Sequence, residues 1–253
     1  MNIIVKGLNI NYESVGNGDE ILLLHGWGSS LQAFSFIMRS FSDKYKITAV
    51  DLPGFGKSDM INEPWTIDDY CDFVLEFIQK LNIKDPVFVG HSFGGRIIIK
   101  LSGLHKIQPK KLILIDAAGI KHKKTLHQKV RQRTFKTIKA VLSVPLWKKP
   151  CQPLLEKARG HFGSADYNNA PPVLRQTLVN AVNEDLTCYL DSITASTLLI
   201  YGENDTATPV SDAQLINSKI KDSGLCVIKN AGHFSFIDKP YEVNAILNSF
   251  LEA

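Results

Sequence analysis

The chain has 253 residues, of which 44% are hydrophobic and 21% charged, and its formal net charge is +4. These proportions are typical of an ordinary globular protein and exclude a disordered chain, a fibre and a disulfide-rich scaffold. The length is sufficient for one α/β domain with a sizeable hydrophobic core.

The sequence shows no sign of a membrane span or of export. It contains no run of roughly 18 apolar residues, the length that a spanning helix needs, and its start, Met1–Lys6, lacks the pattern of a secretory signal. We therefore expect a cytoplasmic protein without stable membrane insertion. The four cysteines are scattered and form no C-x-x-C pair, so reduced packing thiols are expected at Cys71, Cys151, Cys188 and Cys226.

Apolar strand-like runs alternate with amphipathic helical stretches along the chain. In chain order, the predicted strands are Met1–Lys6, Asn9–Val15, Ile21–Leu24, Ile47–Val50, Pro86–Val89, Lys111–Ile115, Thr197–Tyr201 and Leu225–Ile228. The predicted helices are Leu31–Phe41, Ile67–Leu81, Phe93–Leu104, Thr125–Leu142, one that starts at Pro171 or Pro172, Pro209–Ile220 and Pro240–Leu251. Such alternation predicts an α/β fold with a mostly parallel, eight-stranded sheet between two layers of helices.

The alternation is interrupted between residues 120 and 190, where no strand-like run occurs. We therefore predict a core made of residues 1–119 and 191–253 and a helical insertion over 120–190. Between Lys121 and His161 there are twelve Lys or Arg and a single acid, Glu156. This basic stretch is interpreted as a solvated helix face, as a surface that steers an anionic substrate or an acidic carrier protein, or as a site of membrane-surface association. No nucleic-acid partner is expected.

The strongest chemical signal is the pattern G-x-S-x-G at Gly90–Gly94, between a predicted strand and a predicted helix. A sharp turn there exposes the Ser92 hydroxyl, and the helix start supplies positive dipole and free N–H groups. Ser92 is therefore predicted as a nucleophile, the alternative being a serine in a tight turn or a helix N-cap. Arg96, in the following turn, is interpreted as a surface residue or as a group that faces an anion.

A serine hydroxyl needs a base to remove its proton. His233 follows the last strand, and Asp205 follows the strand before it, so both lie at the same edge of a parallel sheet as Ser92. We predict His233 as the base and Asp205 as the acid that orients it. Asp116 and Glu203 are rival acids, since they also follow strands at this edge.

A tetrahedral intermediate also needs donors for its negatively charged oxygen. We assign one to the backbone N–H of Phe93, directly after the predicted nucleophile, and the other to that of Trp27 in the loop His25–Gly28. His25 is predicted to brace this loop, and His91 to be buried beside the turn. The predicted chemistry requires neither a metal ion nor an organic cofactor.

In combination, these segments resemble the α/β-hydrolase family over nearly the whole chain. The matching stretches are His25–Gly28, Asp51–Ser58, Gly90–Gly94, Gly202–Pro209 and Ala231–His233. The resemblance implies a helical lid after the sixth strand, where the predicted insertion falls. The first loop is most similar to that of the carboxylesterases that cleave a pimeloyl-carrier-protein methyl ester. Relatives with an aspartate nucleophile are disfavoured because a serine stands at position 92.

The resulting hypothesis is a serine esterase that acts on a small or medium carboxylic ester through an acyl-enzyme. Two alternatives use the same scaffold. One is a lyase similar to the enzyme that eliminates pyruvate in menaquinone synthesis, and the other is a ligand receptor or signalling protein with slow turnover.

Overall fold

The computed structural model describes residues 1–121, 133–134, 137–138 and 165–253, and these residues are organised around one sheet. In chain order, the strands are β1 (Asn2–Val5), β2 (Leu8–Val15), β3 (Asp19–Leu24), β4 (Tyr45–Val50), β5 (Val87–His91), β6 (Leu112–Ile115), β7 (Thr197–Gly202) and β8 (Ser223–Ile228). Their spatial order is β1-β2-β4-β3-β5-β6-β7-β8. β2 pairs antiparallel with β1 and β4, and all other neighbours pair in parallel. The predicted mostly parallel, eight-stranded sheet is confirmed.

Helices pack on both faces of this sheet. Among the described residues they are α1 (Ser35–Phe41), α2 (Ile67–Leu81), α3 (Phe93–Gly103), α4 (Ala165–Asn169), α5 (Pro172–Asn183), α6 (Thr187–Leu190), α7 (Val210–Lys219), α8 (Ser235–Asp238) and α9 (Pro240–Glu252). The prediction of one helix over Leu31–Phe41 is wrong in its first turn, which is a 3₁₀ helix over Leu31–Phe34. There the Leu31 N–H donates to Asp51 Oδ1 at 2.7 Å, so a contact with the loop after β4 fixes this turn.

The continuous apolar run in β3 contributes to two separate cores. Side chains alternate along a strand, so Leu22 and Leu24 pack on one face, among residues of α2 and α3. Ile21 and Leu23 pack on the other face, among residues of α1 and α9. A strand covered on both faces needs apolar residues at every position, which explains the unbroken run.

Buried charges join α3 to the C-terminal end of α5. Arg96 is buried, and its Nη1 donates to the Glu184 carbonyl oxygen at 2.8 Å. The Lys100 ammonium, also buried, lies 2.5 Å from Glu184 Oε1 and 2.8 Å from Asp68 Oδ1. Interpreting Arg96 as a surface residue was therefore wrong, because its buried guanidinium donates to the carbonyl of the residue that caps a packed helix.

Much of the predicted insertion lies outside the described residues. Its described part contains α4, α5 and α6. The predicted helix over 125–142, the basic stretch and Cys151 fall almost entirely outside, so the insertion as a unit and its anion-steering role stay predictions. The three described cysteines are free, and Cys71 is buried.

None of the helices in the described ranges is long and apolar enough to cross a membrane.

The parallel pairing of β3, β5, β6, β7 and β8 brings the loops after these strands to one edge of the sheet. Open α/β sheets carry their ligand sites at the carboxyl ends of such strands. This edge contains the predicted nucleophile, base and acids.

Candidate active site

Ser92 occupies a sharp turn between β5 and α3. Its backbone has φ 48° and ψ −105°, a conformation that non-glycine residues rarely adopt. The flanking glycines make this turn sterically feasible. A Cβ on Gly94 would lie 2.0 Å from the Leu24 carbonyl oxygen, and one on Gly90 would lie 2.6 Å from the Gly95 nitrogen. The predicted strand–turn–helix context is therefore present, with the serine at its apex.

The structure brings Ser92, His233 and Asp205 together in one line of hydrogen bonds. His233 Nε2 lies 2.9 Å from Ser92 Oγ, and His233 Nδ1 lies 2.7 Å from Asp205 Oδ2. The other carboxylate oxygen, Asp205 Oδ1, accepts from the backbone N–H groups of Ala207 at 2.7 Å and Thr208 at 3.0 Å. These bonds fix the carboxylate, and the carboxylate in turn fixes the imidazole ring.

The hydrogen bonds also determine which imidazole nitrogen carries the proton. A carboxylate can only accept, so His233 Nδ1 donates to Asp205. In the neutral ring, Nε2 then has a free lone pair directed at the Ser92 hydroxyl. This tautomer can remove the hydroxyl proton.

Asp205 and His233 shift each other's pKa in the direction that favours their charged forms. Burial disfavours the imidazolium of His233, but the hydrogen bond and charge of Asp205 outweigh burial and raise the pKa of His233. Burial likewise acts to raise the pKa of Asp205, yet the bonds from His233 and Thr208 outweigh it and lower that pKa. The site therefore stabilises an imidazolium that forms beside an ionised carboxylate.

The loop after β3 lies against the turn that carries Ser92. A Cβ on Gly26 would lie 3.2 Å from the Ser92 Cβ, and the Gly94 N–H donates to the His25 carbonyl oxygen at 3.1 Å. Among the described residues, the backbone N–H groups of Trp27 and Phe93 have no protein acceptor. Phe93 directly follows the serine and Trp27 follows the glycine that lies against it, so these N–H groups are candidate donors for a developing oxyanion.

His25 is a buried, neutral brace for this loop. Its Nδ1 donates to the Gly26 carbonyl oxygen at 2.7 Å, and its Nε2 accepts from the Leu52 N–H at 3.0 Å. Burial lowers the pKa of His25 to about 4, so the ring is uncharged at neutral pH. Its position agrees with the predicted bracing role.

His91 is also buried, as predicted, and it contacts the loop that carries the base. Its Nε2 donates to the His233 carbonyl oxygen at 2.8 Å. Burial lowers the pKa of His91 to about 3. Its Nδ1 has no hydrogen-bond partner in the described part of the chain. Sequence alone gave no signal for this contact, which joins residues 142 positions apart.

Neither rival acid bonds to His233. Glu203 is exposed, and its Oε2 accepts from the Asn230 N–H at 3.1 Å. Asp116 is buried, and its carboxylate accepts from Gly202 and Ser235. The geometry thus separates Asp205 from the two alternatives.

Comparison with known proteins identifies the family. The sequence model of the family described as "alpha/beta hydrolase fold" matches residues 20–240 of the chain. The chain belongs to the α/β-hydrolase fold family.

The relatives of this α/β hydrolase include hydrolases and esterases. It is 27% identical over 257 residues to the AB hydrolase superfamily protein YisY of Bacillus subtilis (strain 168), across 94% of this chain and 93% of that protein. It is 34% identical over 110 residues to the pimeloyl-acyl-carrier-protein methyl ester esterase of Shewanella woodyi, across 44% of this chain and 40% of that enzyme. The solved esterase EaEST from Exiguobacterium antarcticum has the same fold, with a TM-score of 0.78 at 23% identity over 100% of this chain and 99% of that one. These matches support a hydrolase.

A cavity of about 390 Å³ in this α/β hydrolase adjoins the Trp27 loop. Apolar side chains that include Trp27, Phe55 and Leu174 line it. Among the described lining residues, the only charged one is Asp166 of α4. Its carboxylate also contributes to the raised pKa of His233.

Thr208 of the hydrolase is a site residue that the motifs alone do not reveal. Its Oγ1 lies 2.6 Å from Asp205 Oδ2, 3.3 Å from His233 Nδ1 and 3.0 Å from the Asp116 carbonyl oxygen. Thr208 lies in the Gly202–Pro209 loop, one of the stretches that resemble the family. Its place in this loop is the sequence signal that could have identified it. A hydroxyl three positions after a candidate acid can bond back to that acid, as Ser and Thr side chains do in tight turns.

Proposed function

We propose that this α/β hydrolase is a serine esterase that cleaves small or medium carboxylic esters through an acyl-enzyme. The observation that carries the proposal is the unbroken line of hydrogen bonds from Asp205 through His233 to Ser92, at 2.7 and 2.9 Å. The two unpaired backbone donors beside Ser92 support it, because acyl transfer generates an oxyanion at that place.

In the proposed reaction, Ser92 Oγ bonds to the ester carbonyl carbon while His233 Nε2 takes the hydroxyl proton. The carbonyl oxygen becomes an oxyanion, which accepts hydrogen bonds from the N–H groups of Trp27 and Phe93. The intermediate then expels the alkoxide, which takes the proton from His233, and an acyl-serine remains. Water attacks this ester with His233 again as base, releasing the acid and regenerating Ser92.

We take the cavity beside the Trp27 loop as the candidate site for a small, largely neutral acyl or alcohol group of the substrate. Its volume of about 390 Å³ lies toward the lower end of the range for small-molecule pockets. In the part of the wall that the structure describes, Asp166 would repel a carboxylate-bearing substrate. We therefore propose uncharged esters as the first class to assay.

The decisive test combines active-site labelling with a substrate series. A fluorophosphonate probe should label Ser92, and peptide mass spectrometry should find the adduct on the peptide that contains Gly90–Gly94. In parallel, p-nitrophenyl esters from acetate to dodecanoate should be hydrolysed with a preference for short or medium chains. Ser102, a buried serine on α3, is an internal control that should stay unlabelled. Absence of an adduct on Ser92, or labelling at another serine, would contradict the proposal.

The pH dependence of hydrolysis should report the His233 imidazole. Only the neutral ring can accept the Ser92 proton, and the hydrogen bond and charge of Asp205 raise the pKa of His233 above its ordinary value of 6.5. Activity is therefore lost as the pH falls through a value above 6.5. Measuring kcat/KM for a p-nitrophenyl ester from about pH 5 to 9, the range in which histidine titrates, checks this. A flat profile, or a midpoint below 6.5, would argue against His233 as the base.

A further inference from the structure

Asp116 is a buried carboxylate at the end of β6 that the proposed reaction does not use. It has no solvent exposure, and its backbone adopts φ 45°. Its N–H donates to the Ile200 carbonyl oxygen at 2.8 Å, which continues the pairing of β6 with β7. A buried acid in a rarely populated backbone conformation, next to a candidate site, needs a specific explanation.

Three hydrogen bonds satisfy the Asp116 carboxylate, and their donors lie in two different segments of the chain. Asp116 Oδ1 accepts from the Gly202 N–H at 2.8 Å. Asp116 Oδ2 accepts from the Ser235 N–H at 3.0 Å and from the Ser235 hydroxyl at 2.7 Å. Gly202 is the last residue of β7, and Ser235 is the first residue of α8. One carboxylate therefore bridges segments that are 33 positions apart in sequence.

These two segments carry the other members of the line of hydrogen bonds to Ser92. Asp205 lies three residues after Gly202, and His233 lies two residues before Ser235. The Asp116 backbone also contributes, because its carbonyl oxygen lies 3.0 Å from the Thr208 hydroxyl, which contacts Asp205 Oδ2 at 2.6 Å. Fixing both segments to one group restricts the distance between the Asp205 carboxylate and the His233 ring.

We infer that Asp116 is a positioning residue whose ionised carboxylate clamps the segments after β7 and β8 together and so holds Asp205 and His233 in register. The inference rests on the proposed function, since it assigns Asp116 to the same reaction. Ionisation matters because a protonated carboxyl must use one oxygen as a donor, whereas both oxygens here face N–H or O–H donors. The clamp therefore weakens when Asp116 takes up a proton.

The groups that face Asp116 determine the pH at which its carboxylate takes up a proton. Burial is the main cause that raises the pKa of Asp116 to about 6, and the neighbouring charge of Asp205 acts in the same direction against the three hydrogen bonds. His233 on the β8 side has its own pKa raised in part by Asp116. Tyr201 of β7 stays neutral, because burial raises its pKa well above 10. Two groups, His233 and Asp116, should therefore titrate on the acid side of the activity profile.

The test measures the rate at which a fluorophosphonate labels Ser92 as a function of pH, which requires no knowledge of the substrate. In the wild type, the logarithm of this rate should fall with a slope steeper than one below about pH 6, since two protonations each remove activity. Asp116→Asn should label 10- to 100-fold more slowly at about pH 8, because small misplacements of catalytic groups cost rates of this size. On the acid side of the profile, the logarithm of the variant's labelling rate should fall with a slope of one. The midpoint of this fall should lie at lower pH than in the wild type, because one negative charge near His233 is gone.

Asp51→Asn is the matched control for a general loss of stability. Asp51 is also buried, and its carboxylate accepts three hydrogen bonds, from Leu31 N, Asn11 Nδ2 and Lys57 N, none of which lies on the β7 or β8 loops. Its variant should lower the melting temperature and keep the slope and midpoint of the acid limb. If Asp116→Asn behaves in the same way, with an unchanged pH profile, the inference is wrong.

Ser235→Ala covers the case in which Asp116→Asn does not fold. It removes one of the three bonds to Asp116, so it should slow labelling by a smaller factor and raise the pH at which the steep limb begins, because the ionised carboxylate loses a donor. If Ser92 of the Ser235→Ala variant is labelled at the wild-type rate and the acid side of its pH profile is unchanged, the clamp is wrong and the esterase proposal stays intact. If Ser92 is not labelled in the wild-type protein either, the proposed function itself is wrong.

Discussion

Ester hydrolysis by a Ser92→Ala variant is expected to fall by about six orders of magnitude in kcat, since removal of the nucleophile eliminates the acyl-enzyme route. The fold should survive the change. Within the described residues, the Ser92 hydroxyl has one hydrogen-bond partner, His233 Nε2. Removing the hydroxyl therefore breaks a single side-chain hydrogen bond. Steady-state kinetics with the best p-nitrophenyl ester, together with a melting curve, would measure both effects.

Asp205→Asn provides a graded comparison in the same assay. Asparagine can keep an acceptor toward the N–H groups of Ala207 and Thr208, which directs its amide N–H₂ at His233 Nδ1. Nδ1 must then accept, so Nε2 carries the hydrogen and can no longer remove the Ser92 proton. A loss of about 10⁴-fold in kcat is expected from this wrong tautomer.

Ser102→Ala serves as the control for these variants. Ser102 is buried on α3, the helix that begins directly after Ser92, and its hydroxyl lacks a partner among the described residues. Its variant should keep activity near the wild-type value. If Ser92→Ala kept more than about 1% of wild-type kcat, another group would have to be the nucleophile, since nucleophile deletions cost far more than that.

Gly94→Ala is expected to destabilise the protein by about 4 kcal/mol or more, which is exceptional for a single methyl group. The added Cβ would lie 2.0 Å from the Leu24 carbonyl oxygen and 2.5 Å from its carbonyl carbon. Both are backbone atoms of a central strand, so α3 must move away from the sheet rather than a side chain rotating aside. Urea unfolding of the purified variant, or its failure to accumulate in soluble form, would show this loss.

The matched substitution is Gly224→Ala in β8. A Cβ there would meet no atom within 4 Å, and the glycine does not have positive φ. Its free energy of unfolding should change by no more than about 0.5 kcal/mol, as for ordinary surface substitutions. Equal stability of the Gly94 and Gly224 variants would show that the turn after Ser92 can relax without cost.

Elements whose ends depend on local chemistry were predictable from sequence. The bounds of α2 match the prediction because both ends are encoded nearby. Thr66 and Asp69 exchange hydrogen bonds in a capping box at its start. At its end, Asn82 adopts φ 52°, the left-handed conformation that terminates helices.

Element ends that depend on distant contacts were harder to predict. β5 extends past the predicted Val89 to His91, because Gly90 and His91 pair with Leu114 and Ile115 of β6. The 3₁₀ turn at Leu31 likewise depends on a carboxylate twenty positions away. Periodicity within a window of sequence contains no information about such partners.

The members of the candidate site were readable from motifs, with Asp205 as the preferred acid, but the contacts that separate the acids were not. Asp116 and Asp205 both follow strands at the same sheet edge, where sequence favoured Asp205 and kept Asp116 as a rival. Their hydrogen-bond partners differ, because Asp116 meets Ser235, 119 positions away, whereas Asp205 meets His233. Side-chain direction of this kind follows from the packed loops and not from residue type.

The order of the strands places β1 and β8 outermost, where unpaired backbone groups could recruit a strand from another molecule. β1 spans only four residues, which offers a poor template. β8 is followed directly by the exposed Lys229, so an approaching strand would meet a positive charge at that end, whereas at the other end the exposed Asp222 and Lys221 lie side by side. Growth of the sheet into an aggregate is thereby opposed at both of its sides, and the buried apolar strands between them stay in the interior of each molecule.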